Sequence, residues 1–188
     1  MRTHPNSLAG ATIAAVLTLI ALPATASVLV VGNGMAADCS KAAYKGRADK
    51  DSILLCSRSL DEESLNRRDR AGTLVNRGVM LLRTRDYGAA RADFDKAIAL
   101  EPTLGEAFVN RGVTLMADKA YAEALAEIDR GLELGVDEPA KAFYNRGLVQ
   151  ESLGDATAAY YDYRKAQDLA PDWVLPARQL TRFTVTRP

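Results

Sequence analysis

Two hydrophobic rhythms divide the chain. From Leu8 to Leu22 the sequence LAGATIAAVLTLIAL is a continuous apolar run, and no charged residue follows until Asp38. From Ala71 onward the apolar positions instead recur at spacings of three and four, the period of a helix with one buried face. That second pattern repeats. Asn76-Arg77-Gly78, Asn110-Arg111-Gly112 and Asn145-Arg146-Gly147 place their glycines 34 and 35 residues apart. Twelve residues after each glycine stands Ala90, Ala124 or Ala159, and four later a large residue, Phe94, Ile128 or Tyr163. A small residue follows at Ala97, Gly131 and Ala166, then Leu100, Leu134 and Leu169, all on one face of a second helix.

Each unit therefore predicts two helices. In the first, Leu74–Arg83 forms one helix, Thr84-Arg85-Asp86-Tyr87-Gly88 breaks it, and a second helix ends before Pro102. The third unit turns at Gly154-Asp155 and stops at Pro171; the second delays its proline to Pro139, which accounts for its extra residue. Glycine and alanine at the small positions let paired helices approach closely, while the large residue fills the space between them. Upstream, Asp51–Leu60 has the pattern of a second helix without its first, a half-repeat able to cap the array. Downstream, Asp172 is expected to cap a helix that tolerates Pro176 in its first turn and covers the last unit with Trp173, Leu175, Leu180 and Phe183. Residues 27–50 show no periodicity and are expected to be partly disordered.

These residues resemble the tetratricopeptide repeat family, helix–turn–helix units of about 34 residues. The glycine, both small positions, the large residue of the second helix and the proline match. Leu74, Phe108 and Phe143 stand where the family usually has tryptophan, and an arginine precedes each glycine in place of leucine. The resemblance implies an all-α, right-handed solenoid: repeats at 71–104, 105–139 and 140–173, a half-repeat and connector at 50–70, and a capping helix and tail at 174–188. It also implies peptide binding in the groove lined by first helices. Carried across, that groove comprises Val75, Asn76, Val79, Leu82 and Arg83; Val109, Asn110, Val113 and Met116; and Tyr144, Asn145, Leu148 and Glu151. The lysine–asparagine clamp with which some members grip a terminal carboxylate is absent, valine, valine and tyrosine standing where lysine is wanted. An apolar helix or an extended apolar segment is thus the expected protein or peptide ligand, rather than an acidic tail.

Charge and composition narrow the chemistry. Lysine plus arginine and aspartate plus glutamate both number 24 with no long block of either sign, so nothing marks a nucleic-acid surface. His4 is the single histidine and lies in the amino-terminal segment 1–26, which has the form of a secretory leader: a basic start, the apolar run, and the small-residue site Ala24-Thr25-Ala26. Cleavage after Ala26 gives a periplasmic or secreted chain without imidazole, and neither zinc binding through histidine nor serine–histidine catalysis is then expected. The rival is an uncleaved anchor, since the uncharged run is long enough for a span of about 20 residues. Cys39 and Cys56 are expected to pair in an exported chain, tethering the 27–49 linker; free buried thiols are the alternative.

Two motifs invite a chemical reading. Val28–Val31 followed by GNGMAA fits a dinucleotide fingerprint, but such a site needs a parallel βαβ unit, and no further strand-like run follows, so no cofactor is expected. Asn76, Asn110 and Asn145, equivalent positions in three first helices, can form a ladder that hydrogen-bonds an extended peptide backbone, or can satisfy one another. Arg77, Arg111 and Arg146 are expected to pair with Asp93, Glu127 and Asp162 at constant offset. Asp61-Glu62-Glu63 and the pair Asp93 and Asp95 are expected on turns and solvated faces, without general acid–base work. The chain is thus expected to be a binding scaffold and no enzyme. Self-association as a structural component of the envelope, or an adaptor anchored by its leader, are the alternatives.

Overall fold

The computed structural model describes residues 11–13 and 23–185. Within them the chain forms α1 (Met35–Tyr44), α2 (Lys50–Glu62), α3 (Arg67–Arg83), α4 (Tyr87–Leu100), α5 (Gly105–Ala117), α6 (Tyr121–Leu134), α7 (Pro139–Ser152), α8 (Ala156–Leu169) and α9 (Val174–Leu180). Two short strands, β1 (Ala11–Ile13) and β2 (Phe183–Val185), pair antiparallel. Apart from β1, the apolar run Leu8–Leu22 lies outside the described residues, among which no helix is long and apolar enough to cross a membrane.

Helices pair as α3 with α4, α5 with α6 and α7 with α8, and each pair stacks on the next through α4–α5 and α6–α7, giving an all-α solenoid. The glycine of each Asn-Arg-Gly triplet is where the pair closes. A Cβ there would stand 2.6 Å from the Phe94 ring at Gly78, 2.8 Å from Ile128 at Gly112 and 2.7 Å from the Tyr163 ring at Gly147. Ala124 is fully buried opposite Gly112. We expect Ala124→Leu to force α5 and α6 apart at a cost of about 1–3 kcal/mol by overpacking, read from urea denaturation. A change below about half a kilocalorie would contradict this packing.

Turn chemistry follows the repeat as well. Arg85, Lys119 and Gly154 occupy equivalent turns with φ of 64°, 59° and 87°, so only the third unit carries the residue that takes this conformation without strain. The Asp86 and Asp155 side chains accept hydrogen bonds from the amides of Ala89 and Ala158, capping α4 and α8.

Several expectations are corrected. The helix expected over Leu74–Arg83 begins at Arg67, because the Asn66 side chain accepts from the Asp69 amide and starts it two turns earlier. Asp51–Leu60 does have a first helix: α1 precedes α2, and the Cys39–Cys56 disulfide joins them across a Cα separation of 5.0 Å. Residues 27–49 are therefore no linker. Small residues supply the buried face of α1, Ala36, Ala37, Cys39, Ser40, Ala42 and Ala43, so its hydrophobic rhythm is faint. Pro139 is the first residue of α7 and not a stop; α6 ends at Leu134 and is capped by Gly135, whose φ is 88°. Finally, Trp173 rather than Asp172 precedes α9, with no side-chain cap. The lid residues Trp173, Leu175, Leu180 and Phe183 do pack on the third unit's core.

Candidate functional site

Asn76, Asn110 and Asn145 sit at one register on α3, α5 and α7, fully buried on the concave wall. A primary amide offers a donor and an acceptor side by side, the same pair that a strand edge presents. Each of the three meets one residue of the chain's own amino-terminal segment. Asn145 Nδ2 donates to Ala24 C=O at 2.6 Å and its Oδ1 accepts from Ala24 N–H at 2.8 Å. Asn110 does the same with Ala26, at 2.7 and 3.2 Å, and Asn76 with Val28, at 2.7 and 2.9 Å. Alternate residues are gripped because an extended chain turns every second main-chain pair to the same side. Ser40 of α1 adds a fourth rung: its Oγ accepts from Val30 N–H at 3.1 Å and donates to Val28 C=O at 3.0 Å.

Side chains shape the groove around this segment. At Gly72 of α3 a Cβ would stand 2.9 Å from Val28 Cγ1 and 3.2 Å from Val30 Cγ2, so the missing side chain is the room that those valines fill. Ala24 packs at the edge of the third unit's cluster with Leu148, Phe143 and Met116. Arg83 donates from Nη1 to Ala43 C=O at 2.8 Å and from Nη2 to Thr25 Oγ1 at 3.0 Å, and burial holds its pKa below the usual arginine value while Glu138 works against that.

The tetratricopeptide repeat profile matches residues 71–104 and 140–172. The first and third units are tetratricopeptide repeats. A search of curated proteins found no match. Among solved structures the helical array is similar to MamA from Desulfovibrio magneticus RS-1, at 22% identity and a TM-score of 0.58, over 78% of this chain and 79% of that one. It is similar to YrrB, described as a TPR protein with an unusual peptide-binding site, at 20% identity and a TM-score of 0.58, over 78% and 73% of the two chains. The first TPR of Spaghetti (RPAP3), bound to the HSP90 peptide SRMEEVD, gives 21% identity and a TM-score of 0.56 over 61% and 90%.

Not every residue carried over from the tetratricopeptide groove faces it. Val75, Val109 and Tyr144, each one position before its asparagine, point between the two helices of their own repeat. A Cβ on Gly131 of α6 would lie 2.5 Å from Val109 Cγ2. The Tyr144 ring centroid is 5.7 Å from Tyr163 and 5.0 Å from Trp173, and its hydroxyl accepts from Gln179 Nε2. Val75 joins the first repeat's core with Ala97. Val79, Leu82, Val113 and Leu148 are also buried, and Met116 is half-buried where three clusters meet. Glu151 accepts from Tyr163 Oη at 2.9 Å and pairs with Arg182, anchoring the carboxy-terminal lid. Sequence reasoning missed Ser40, Gly72 and Thr25. Only Gly72, a glycine inside a helical pattern, carried a signal.

The arginines of the three helix pairs act as staples. Arg77 grips Asp93 bidentately at 2.7 Å and Ser57 of α2 at 3.0 Å. Arg111 holds Glu127 and reaches Asp95 of α4 at 2.9 Å; Arg146 holds Asp162 and reaches Asp129 of α6 at 2.7 Å. Each thus ties its partner helix to the preceding helix pair. The paired carboxylates hold the Arg77 and Arg146 guanidiniums further above neutrality than usual, against the opposing effect of burial. Asp93 is accordingly buried and paired, contrary to the expectation of a solvated face, whereas Asp95 is exposed as expected and bonds Arg111 there. Glu63 is not idle either: its carboxylate accepts from the Met35 and Ala36 amides, both at 2.8 Å. Val28–Val31 and GNGMAA do form an extended segment, a glycine turn and a helix, but Glu63 closes the helix terminus on which a pyrophosphate would rest.

Proposed function

We propose that this chain is an exported, non-enzymatic scaffold whose concave wall holds an extended segment of a protein by its main chain. The observation that carries the reading is the three-rung asparagine ladder, each amide saturating the N–H and C=O of alternate residues. An extended ligand fits this wall better than an apolar helix, whose main-chain groups are already bonded within the helix and offer the amides nothing. The fold neighbours bound to the peptides SRMEEVD and SGPTIEEVD support peptide capture as a use of this architecture. Export is supported by the leader-like run ending Ala24-Thr25-Ala26 and by the disulfide, which suits an oxidising compartment.

The test is chemical crosslinking in the intact envelope with the wild type, Asn110→Leu and Arg85→Ala. Loss of the two hydrogen bonds of one rung, at about 1 kcal/mol each, corresponds to a more than tenfold loss of affinity. We expect Asn110→Leu to lose its crosslinked partner while still melting cooperatively, and Arg85→Ala, on the turn between α3 and α4, to keep it. A partner retained at wild-type level by Asn110→Leu would sink the ladder as the binding element.

A further inference from the structure

The segment seated in the groove spans the site at which the leader is expected to be cut. Ala24 and Ala26, on the Asn145 and Asn110 rungs, lie before it; Val28 and Val30, on Asn76 and Ser40, lie after it. Cleavage after Ala26 therefore empties two rungs and leaves the rest of the groove filled. It also creates a new α-amino group at Ser27, a residue that is 1% exposed when the groove is full.

We infer that the cut chain is a receptor for the carboxy terminus of another protein ending in a small-any-small tripeptide, held on Asn145 and Asn110 with its terminal carboxylate against the Ser27 amine. The inference rests on the proposed export and deepens it. Four features of the groove define the ligand. Running in the direction of residues 24 to 26, its last residue takes the place of Ala26, so its carboxylate stands where the Ala26 carbonyl now meets Asn110 Nδ2 at 2.7 Å. Its terminus faces the nitrogen from which Ala26 was severed, and an ammonium enclosed there needs an anion beside it. Alanine fills both rung positions, Ala26 being 1% exposed, so a larger side chain has no room at the last residue. The middle residue meets a cation, since Arg83 directs its guanidinium at Thr25 Oγ1 and the neutral Ala43 carbonyl. This differs from a lysine clamp: the positive group facing the carboxylate is the protein's own first residue.

The experiment uses the protein as the cell envelope yields it. Its first residue is determined by intact mass, and its affinity for a fluorescent peptide ending Pro-Ala-Thr-Ala is measured by anisotropy, as the free acid and as the carboxy-terminal amide. We expect a chain beginning at Ser27, binding of the acid at least tenfold tighter than of the amide, and loss of both by Asn110→Leu with its thermal transition retained. A chain beginning at Met1 would overturn the inference and favour the uncleaved anchor, leaving the ladder and the scaffold reading to be judged by the crosslinking experiment. Equal affinity for acid and amide would overturn the carboxylate site while leaving the ladder standing. A tightly held fragment of the protein's own leader in the purified sample would overturn it in favour of an occupant made by the protein itself.

Discussion

Replacing Val109 and Tyr144 together by aspartate is expected to leave no cooperatively folded protein, and so no separable binding defect. Both side chains are fully buried, Val109 against the Gly131 segment of α6 and Tyr144 between Tyr163 and Trp173. A carboxylate at either buried place must be hydrated by opening the helix pair or protonated, and an unpaired buried charge costs about 3–5 kcal/mol. Two such sites in adjacent repeats approach the whole stability of a domain, about 5–15 kcal/mol. The tyrosine position loses aromatic packing besides, about 3–5 kcal/mol for a large buried ring. Circular dichroism and urea titration decide it: a cooperative transition within about 1 kcal/mol of wild type would mean that these side chains face the groove after all.

The Cys39→Ser, Cys56→Ser double variant is expected to lose about 3 kcal/mol, the loop-closure entropy released for a separation of 17 residues. The loss should be local first. Helix α1 has an alanine-rich buried face with little apolar area, so the disulfide and the Glu63 cap are what hold it to α2. Because Ser40 on α1 grips Val28 and Val30, loosening α1 should also release the groove segment, while the Arg77, Arg111 and Arg146 staples keep the repeats intact. Hydrogen exchange should show faster exchange at Val30 and along α1, with α5 to α8 unchanged. Equal protection in both proteins would show that packing alone seats α1.

The repeats were legible because their constraints are periodic: each glycine must admit a ring or branched chain, and each arginine must meet a carboxylate at a fixed offset. The asparagines were legible as a ladder for the same reason. What filled the ladder was not, because residues 24 to 30 look like the tail of a leader and bind through main-chain groups that every residue possesses. Helix α1 escaped notice because alanine, serine and cysteine bury a face without producing a hydrophobic rhythm. Val75, Val109 and Tyr144 were misplaced by one position, about 100° around a helix, which is enough to turn a side chain from groove to core.

Since all three rungs are the same amide, a ligand displaced by two residues meets identical partners, and the hydrogen bonds alone leave its register degenerate. Along the rungs themselves side-chain volume breaks the tie, through the hollow at Gly72 for Val28 and Val30 and the tight enclosure of Ala26. Proline is tolerated between rungs but not on one, where its missing N–H would strand an amide oxygen; Pro23 lies one residue outside the first rung. The wall thus works as a ruler graduated in steps of two residues, with bulk and proline among its marks.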